Sequence, residues 1–295
     1  MELDIRPYTA ADAVRLSDLR NQIPGNSPRS AADFQAYLAK CEHSWVGLMA
    51  GLVVGYTAVA PVPGLPHVRM LNGFITPAWQ RQGLGSQLLH HLIQDLKSEV
   101  PALSLARPLQ LSYCTGNTES AVYHFLRRHH FLTEHKEQHL ILSITAPPLA
   151  PTLPPACHLR TLPRAQAITQ FIHLYEQSFG PHPWYQPYSS AEVAAALGQT
   201  KDLLFLYHQD EPIGFVWAQS IEKGLAEIEP VGILTQWQGE GYGRFLLQSA
   251  IYNLAQRGAA QISIGTWLQN RPALHLYHSL GFQPDHTLIY LAYEV

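Results

Sequence analysis

The sequence predicts two tandem copies of one α/β domain, each with a mixed sheet covered by helices on both faces. The chain has 295 residues, which is about the length of two average domains. Its midpoint, TAPPLAPTLPPA from Thr145 to Ala156, is too rich in proline for a helix or a central strand. We therefore predict a first domain at 1–145, a stiff linker at 146–156 and a second domain at 157–295.

The same signals recur in the same order on the two sides of this linker. LDIRPYT recurs as CHLRTLP, WQRQGLG as WQGEGYG, and SYCTGN as GTWLQN. Paired residues, such as Arg6 with Arg160 and Gln80 with Gln238, lie between 153 and 158 residues apart. A spacing that drifts by a few residues is typical of a duplicated domain with loop insertions.

The elements are clearest in the second copy. Runs rich in β-branched and aromatic residues predict strands at about 203–208, 212–220, 225–234, 261–267 and 287–293. Helices are predicted after Leu162, from the capping box Ser189–Glu192, along the apolar face between Tyr242 and Leu254, and at about Pro272–Leu280. The order is helices, an antiparallel meander and then a β-α-β unit, which gives a mixed sheet.

Composition excludes several classes of protein. The net charge is −3 and the sequence has no Lys/Arg cluster, so we expect no nucleic-acid partner. No apolar run reaches the roughly 18 residues of a membrane span, and the start lacks a signal peptide, so we expect a cytoplasmic protein with no membrane contact. Three scattered cysteines and sixteen histidines without ligand spacing predict neither disulfides nor a metal site.

A glycine-rich turn between a strand and a helix is the most informative motif. Glycine allows a positive φ and close approach of the backbone to a ligand, and N–H groups at a helix start bind anions. Neither copy has the GK[ST] of a Walker A loop or the third glycine of a Rossmann fingerprint. A purely structural turn is the alternative. The motif occurs as Gln238, Gly239, Glu240, Gly241, Tyr242 and Gly243, and as Gln80, Arg81, Gln82, Gly83, Leu84 and Gly85.

The Q-x-x-G-x-G spacing resembles the loop of the GNAT acyl-CoA N-acyltransferases, once per copy. Asn270 and the following ALHLYHSLGF are similar to that family's N-x-x-A-x-x-L-Y-x-x-x-G-F segment. The resemblance covers nearly the whole chain. It implies two tandem GNAT-like domains, in which the loop N–H groups hold the pyrophosphate of coenzyme A and the strand before the loop pairs with its pantetheine arm.

The resemblance also implies which residues bind acetyl-CoA. Asn270 has helix capping as an alternative role. Pro230 lacks an N–H, so the strand ladder must break there. In the second copy the expected residues are Val231, Ile233, Gln238, Gly239, Glu240, Gly241, Tyr242, Gly243, Arg244 and Asn270. In the first copy they are Ile75, Gln80, Arg81, Gln82, Gly83, Gly85 and Ser86.

Two residues of the second copy are expected to catalyse. Glu227 occupies the place of the general-base glutamate in the family's histone acetyltransferase branch, and strand alternation puts Glu229 on the same face. Two adjacent carboxylates should raise one pKa toward the range useful for a base. Tyr277 matches the tyrosine that protonates the leaving thiolate. The alternatives are an exposed charged strand face for the glutamates and a core position for Tyr277.

The first copy departs from this pattern. Arg69 stands where Glu227 aligns, Leu126 stands where Tyr277 aligns, and His130 replaces the glycine before Phe131. Tyr123 lies one helical turn before Leu126 and could substitute for the tyrosine. We expect this copy not to catalyse and leave its binding of coenzyme A open.

The acceptor is expected to be a small-molecule primary amine. The loop that borders the acceptor site in this fold contains Trp184, Tyr185 and Tyr188 here, and with Glu229 it suits an amine with an apolar or cationic body. Packing of these aromatics between the two copies is the alternative. Other functions left open are acetylation of a protein N-terminus or lysine, and non-catalytic acyl-CoA binding. We expect a monomer or homodimer.

Overall fold

A computed structural model describes residues 3–23, 28–103, 105–182, 185–220 and 222–295. The chain forms two compact units, which do not follow its order completely. Unit 1 consists of Met1–Glu134 and Tyr290–Val295, and unit 2 consists of His135–Ile289. None of the helices within these described ranges is long and apolar enough to cross a membrane.

Unit 1 is built on a sheet whose first four strands are antiparallel and whose fifth is parallel to the fourth. The strands are β1 (Asp4–Pro7), β2 (His43–Met49), β3 (Leu52–Val62), β4 (Leu65–Ile75) and β5 (Gln110–Thr115). The helices are α1 (Ala13–Asn21), α2 (Ala31–Leu38), α3 (Leu84–Glu99) and α4 (Ala121–Arg128). The strand that follows, β6 (Leu132–Ser143), begins at the end of this unit and continues into unit 2.

Unit 2 repeats this order of elements and confirms the mixed α/β class. The strands are β7 (Cys157–Arg160), β8 (Leu203–His208), β9 (Glu211–Ser220), β10 (Leu225–Ile233), β11 (Gln261–Trp267) and β12 (Gln283–Glu294). The helices are α5 (Arg164–Phe179), α6 (Ser190–Ala196), α7 (Tyr242–Gln256) and α8 (Arg271–Ser279). The meander β8-β9-β10 is antiparallel, β10 is parallel to β11, and the last strand begins at Gln283, earlier than predicted.

Strand alternation gives unit 2 a hydrophobic core on each face of its sheet. Phe205 and Phe215 point to one face and pack with helix α5 through Phe171. Leu206 and Val216, the next residues along the same strands, point to the other face, where they belong to the core formed with helix α7. The period of two along these strands therefore places helices on both faces, as the sequence predicted.

Two strands cross the boundary between the sequence repeats. Strand β6, which precedes the proline-rich segment, pairs with β11 of unit 2 from Glu137↔Trp267 to Ser143↔Gln261. Tyr290–Val295, which follow unit 2 in the chain, belong to unit 1, where the Val295 N–H donates to the Leu109 carbonyl at 2.9 Å. No helix or strand is assigned between Ser143 and Cys157. The predicted boundaries at 145 and 157 thus separate the two repeats in the sequence, whereas the two compact units have different boundaries.

Separating the chain at the linker should leave unit 2 incomplete. A fragment of residues 149–295 lacks β6, so β11 loses its antiparallel neighbour and the core loses Leu140, which is fully buried. Burial of one Leu contributes about 2 kcal/mol before any hydrogen bonds are counted. We expect this fragment to unfold at a lower temperature than a fragment of residues 135–289, measured by circular dichroism. Equal melting temperatures would contradict the observed pairing.

Candidate functional site

The candidate site of unit 2 opens where two parallel strands separate. Strands β10 and β11 are paired from Leu225↔Gln261 to Ile228↔Ile264, and no pairing is recorded beyond that point. On its other side β10 pairs with β9, and that register shifts between Ile228 and Val231. Pro230 lies inside the shift and has no N–H to donate. The predicted break in the ladder at this proline is therefore confirmed.

A cavity of about 270 Å³ lies beside this break. Strand β10 contributes Glu229, Pro230 and Val231, helix α8 contributes Tyr277, and Asn270 precedes that helix. The remaining lining residues come from β6, β11, α5 and the loop after α5. They are Glu137, His139, Tyr175, Phe179, Gln186, Tyr188, Ile228, Ile264, Gly265, Thr266, Trp267 and Ala273.

Of the two predicted glutamates, Glu229 lines this cavity and Glu227 does not. The Glu229 residue is exposed by its accessible surface, although the protein around it still desolvates its carboxylate. Burial, followed by the charges of Glu227 and Glu137, raises the pKa of Glu229 to about 6, and the charge of His139 opposes the rise. The expected interaction between the two carboxylates is present, since the charge of Glu227 acts on Glu229.

Tyr277 lies on helix α8 with 5% of its surface exposed. Burial, with a smaller effect from the charge of Glu229, raises its pKa. No described residue hydrogen-bonds to its hydroxyl group, although the side chain borders the cavity. The structure thus brings Tyr277 and Glu229 to one cavity and keeps the phenol protonated at neutral pH.

A histidine from β6 lies against β11, the strand next to β10. His139 is the register partner of Gly265 on β11, and its ring lies 3.3 Å from the place where a Cβ at position 265 would stand. Glycine at 265 therefore gives the ring its space. The Glu137 carboxylate, 3.9 Å from His139 Nε2, is the main cause that raises the pKa of His139, and the charges of Glu229 and Glu227 add to it.

An aromatic wall from α5 and the following loop forms another side of the cavity. Tyr175 stacks on Phe179 at 4.8 Å between ring centroids and meets Tyr188 edge-to-face at 4.8 Å. Phe179 in turn meets Trp267 of β11 edge-to-face at 6.4 Å. Of the predicted acceptor residues, Tyr188 lines the cavity, and Tyr185 lies behind it, 5.6 Å from Tyr175.

The ring contacts of this wall join residues of unit 2 to one another. They give no support to the alternative that these aromatics pack between the two copies. Tyr188 also contacts Phe171 of helix α5, at 5.5 Å between ring centroids. The third predicted acceptor residue, Trp184, lies outside the described residues.

The glycine loop of unit 2 follows the end of β10. Gly239 and Gly241 have φ values of 87° and 86°, and a Cβ at either position would meet no atom within 4 Å. The left-handed backbone, rather than crowding, therefore calls for glycine here. Gln238 Nε2 donates to the Ile233 carbonyl at 2.9 Å, so this side chain fastens the loop to the strand.

Helix α7 begins directly after this loop with its N-terminus uncapped. Its N-cap residue is Gly241, and none of the described side chains accepts a hydrogen bond from its first turn. Helices α2, α4, α6 and α8 are capped by the side chains of Ser30, Ser120, Ser189 and Asn270, whereas α1 and α5 also lack a side-chain cap. The N–H groups of this first turn and the helix dipole are thus available to an anion such as a pyrophosphate.

The other predicted cofactor residues of unit 2 are divided between two places. Val231 and Asn270 line the cavity, and the glycine loop lies outside the residues described as lining it. Asn270 also caps α8, because its Oδ1 accepts from the Ala273 N–H at 3.3 Å. Arg244 donates to Ser279 Oγ at 2.6 Å and so links α7 to α8. Glu240 is exposed, and Tyr242 packs edge-to-face on Trp237 at 5.9 Å.

Unit 1 has a larger cavity, of about 550 Å³, at the equivalent place. Pairing of β4 with β5 ends at Met70↔Ser112, and α3 also starts uncapped, at Gly83 with a φ of 80°. Gln80 Nε2 donates to the Ile75 carbonyl at 2.7 Å, the same bond as in unit 2. The predicted cofactor residues that line this cavity are Ile75, Gln80, Arg81, Gly83, Gly85 and Ser86.

Two predicted residues of this loop have local partners. Ser86 Oγ lies 2.8 Å from His129 Nε2. Gln82 is exposed, outside the lining, and its Nε2 donates to the Ala78 carbonyl at 3.4 Å.

In unit 1, apolar side chains occupy the positions that align with Glu229 and Tyr277. Leu71 aligns with Glu229 through the glycine loops, Leu126 aligns with Tyr277, and both leucines line the cavity. Arg69, the counterpart of Glu227, is buried outside the lining and forms an ion pair with Glu42. Tyr123 also lies outside it. The register of β3 and β4 stays regular past Met70, in contrast to the shift in unit 2.

One group of potential metal ligands lies elsewhere in unit 1. His43, Asp95 and Glu99 place one ligand atom each within 4.8 Å of one another. His43 Nδ1 lies 2.8 Å from Asp95 Oδ2, and Nε2 lies 3.1 Å from Glu99 Oε2, so both ring nitrogens have partners. Trp45 Nε1 donates to the same Asp95 oxygen at 3.0 Å. These hydrogen bonds link α3 to β2, so the cluster has a structural role.

Sequence reasoning missed the lining residues that come from β6. Glu137 and His139 precede the linker and were assigned to the first domain, so no spacing within the second domain could reveal them. The i, i+2 spacing of these two residues, which would put them on one face of a strand, was the signal available. Tyr175 and Phe179 were also missed, although their i, i+4 spacing on a helix shows that they share one face.

Comparison with known proteins agrees with this geometry. The Acetyltransferase (GNAT) family matches residues 12–131 and again residues 168–282. A mycothiol acetyltransferase of Thermomonospora curvata is 24% identical over 92% of this chain and 89% of its own length.

Two solved structures share the fold. A GCN5-related N-acetyltransferase of Sphaerobacter thermophilus has a TM-score of 0.71 at 18% identity, covering 99% of this chain and 95% of that one. A tandem GNAT protein from the clavulanic acid biosynthesis pathway has a TM-score of 0.63 at 16% identity, covering 99% and 98%. The predicted class, an acyl-CoA-dependent N-acyltransferase, is confirmed, and the chain belongs to the Acetyltransferase (GNAT) family, whose domain it contains twice.

Proposed function

We propose that unit 2 transfers the acetyl group of acetyl-CoA to the primary amine of a small molecule. The observation that carries this proposal is the meeting of Glu229 and Tyr277 in one cavity, at the place where β10 and β11 separate. One group accepts a proton and the other donates one, and acyl transfer to an amine needs both.

The residues beside the cavity fit coenzyme A. The uncapped start of α7 and the loop from Gln238 to Gly243 would hold the pyrophosphate through backbone N–H groups. Val231, one residue beyond the register shift of β10, would face the pantetheine arm. When bound, acetyl-CoA supplies the activated acetyl thioester.

Glu229 is the proposed general base, in place of the expected Glu227. An alkylamine is mostly protonated at neutral pH, because its pKa is near 10. With a pKa of about 6, Glu229 is ionised at pH 7 and is a stronger base than an ordinary carboxylate. Glu227 acts through its charge, which helps to raise that pKa.

Tyr277 is the proposed general acid. Its raised pKa keeps the hydroxyl protonated, and the hydroxyl has no partner among the described residues, so it can donate toward the cavity. A departing thiolate has a pKa near that of cysteine, below that of this phenol, so the Tyr277 hydroxyl acts by hydrogen-bonding to sulfur as its charge develops, and the proton that the thiol finally carries is made good from solvent.

Unit 1 is proposed to bind coenzyme A without catalysing. It keeps the uncapped helix, the glycine loop and a cavity, but Leu71 and Leu126 replace the base and the acid. Neither leucine can exchange a proton, so acetyl transfer there would lack both groups.

The acceptor is proposed to be small because the unit 2 cavity has only about 270 Å³. The similarity to the mycothiol acetyltransferase of Thermomonospora curvata also supports a small-molecule acceptor. The monomer or homodimer state and the cytoplasmic location expected from the sequence stay predictions.

Glu229→Gln should lower kcat by about 10²–10⁴-fold, the usual contribution of general base catalysis. The loss should be largest near neutral pH and smaller at high pH, where more of the amine is already deprotonated. The measurement is thiol release at saturating acetyl-CoA across a pH series, with a pre-steady-state check that chemistry limits kcat.

Glu227→Gln provides the matched control. Removing this like charge lowers the pKa of Glu229, so the acidic limb of kcat/KM should move to lower pH while the plateau is kept. A larger loss in Glu227→Gln than in Glu229→Gln would return the role of base to Glu227.

Tyr277→Phe should lower kcat by about 10²–10⁴-fold and leave the Kd of acetyl-CoA within a few fold. The substitution removes one hydroxyl and keeps the ring packed in the core. Isothermal titration calorimetry gives the Kd, and Tyr252→Phe on helix α7, outside the cavity lining, is the control. Wild-type kcat in Tyr277→Phe would show that the tyrosine only packs.

Gly241→Val should raise the KM for acetyl-CoA at least tenfold. Valine is strained by about 1–3 kcal/mol at a positive φ, and its side chain would enter the open space beside the helix start. Gly83→Val makes the same change in unit 1, where φ is 80° and a Cβ again meets no atom within 4 Å. It should leave the KM near the wild-type value. The opposite result would move catalysis to unit 1.

A further inference from the structure

The cavity of unit 1 continues from the glycine loop to the place where its two parallel strands separate. Gln80 and Gly83 of the loop line it, whereas the loop of unit 2 lies outside the lining of its cavity. Leu71 also lines it, and this is the first residue of β4 beyond the last recorded pair with β5, Met70↔Ser112. One cavity thus joins the glycine loop to the strand separation.

The two ends of this cavity lie well apart along β4. The loop is fastened at Ile75, whose carbonyl accepts from Gln80 Nε2 at 2.7 Å. Leu71 precedes Ile75 by four residues, and β4 pairs regularly with β3 over this stretch. At about 3.3 Å for each residue of an extended strand, Leu71 stands roughly 13 Å from the end that holds the loop. A ligand that occupies both ends is therefore long.

The charged groups of the lining lie at the surface. The charged residues that line the cavity, together with its histidine, are all exposed: Arg81, Glu119, His124 and Arg128. Two of them are arginines, which bind phosphate groups well. This end of the cavity therefore suits a ligand that carries phosphate.

The other end of the cavity is apolar. Leu71 and Leu126, which align with Glu229 and Tyr277, are 8% and 1% exposed. Val122 lies four residues before Leu126 on α4, so the two share one helix face, and it also lines the cavity. In unit 2 the aligned positions are where we propose that the acetyl thioester reacts. The acyl group of a thioester in unit 1 would meet hydrocarbon there.

A buried hydroxyl between the two ends marks this space as a ligand site. Thr57 of β3 lines the cavity opposite Gly73, two residues from Leu71 in the register, and is 5% exposed. None of the described residues hydrogen-bonds to its hydroxyl group. Buried polar groups are nearly always hydrogen-bonded, so the partner comes from the cavity. A ligand with polar atoms between its two ends supplies such a partner.

We infer that unit 1 binds coenzyme A thioesters with an acyl chain longer than acetyl, whose methylene groups pack on Leu71, Leu126 and Val122. This inference rests on the proposed binding of coenzyme A by unit 1 and names the class of thioester. The phosphate groups lie at the loop, the amide-containing arm passes Thr57, and the acyl chain reaches the leucines. An acetyl group has only one methyl group to bury, so a longer chain gains more from the same surface.

Isothermal titration calorimetry of full-length Gly241→Val protein tests this inference, because that change is expected to weaken binding at unit 2. The ligands are acetyl-CoA, butyryl-CoA and hexanoyl-CoA, with no amine present. Each buried methylene contributes about fourfold to affinity, so the Kd should fall roughly fifteenfold from acetyl-CoA to butyryl-CoA and further for hexanoyl-CoA. Adding Gly83→Val should abolish this binding, which assigns it to unit 1.

Val122→Asn, made in the same Gly241→Val protein, removes part of the apolar surface at a position that is 40% exposed, where the fold tolerates a polar side chain. It should reduce the ratio of the acetyl-CoA Kd to the hexanoyl-CoA Kd by about fourfold or more, the contribution of at least one methylene. Val14→Asn makes the same change at an exposed residue of α1 outside the lining and should leave this ratio unchanged.

The possible results separate this inference from the proposed function. Equal Kd values for the three thioesters, or an unchanged ratio in Val122→Asn, overturn the inference while binding of coenzyme A by unit 1 stands. A dependence on chain length that survives Gly83→Val also overturns it, because the chain then binds elsewhere. No binding of coenzyme A or of any thioester to the Gly241→Val protein overturns the proposed binding by unit 1 as well.

Discussion

The site of unit 2 depends on the place where β10 loses its partner β11. Up to Ile228 the two strands form a parallel ladder, and beyond it Pro230 has no N–H to donate. Unpaired backbone at the centre of a sheet is costly unless something else binds it. The separation thus leaves a space between the strands and backbone groups that a ligand can bind. Glu229 stands at the separation and Val231 lies two residues further on, so the proposed base and the proposed cofactor contact share one cause.

The two copies show which features of this domain are structural and which are chemical. Both have a Gln that fastens the loop to the preceding strand and a long helix that begins uncapped after a left-handed glycine. They differ at the two positions that we propose to exchange protons, where unit 1 has leucines. Replacing Glu229 and Tyr277 by apolar groups removes the chemistry and leaves the cavity, because packing needs only side chains of suitable size.

Local patterns in the sequence predicted most of the fold. The capping box at Ser189, the alternation of β8 and β9 and the apolar face of α7 are short-range signals, and the structure follows them. The glycine loop and Tyr277 were recognised from motifs. The sequence alone could not show that Glu229, and not Glu227, lines the cavity. Strand alternation puts both side chains on the same face, and which one reaches the cavity depends on where β11 separates from β10. The contribution of β6 depends on strand pairing across more than a hundred residues, which no local pattern encodes.

Unit 2 includes most of β6, and unit 1 includes the end of β12. This arrangement has a consequence for folding during synthesis on the ribosome. Domains usually fold in order as the chain emerges. Here unit 1 cannot finish its sheet until Tyr290–Val295 have been made, and β6 must wait for β11 of unit 2. Each half therefore leaves a strand edge unpaired for most of translation, and such edges are prone to aggregation. Each unit therefore completes its sheet late in synthesis and through contacts between distant parts of the chain.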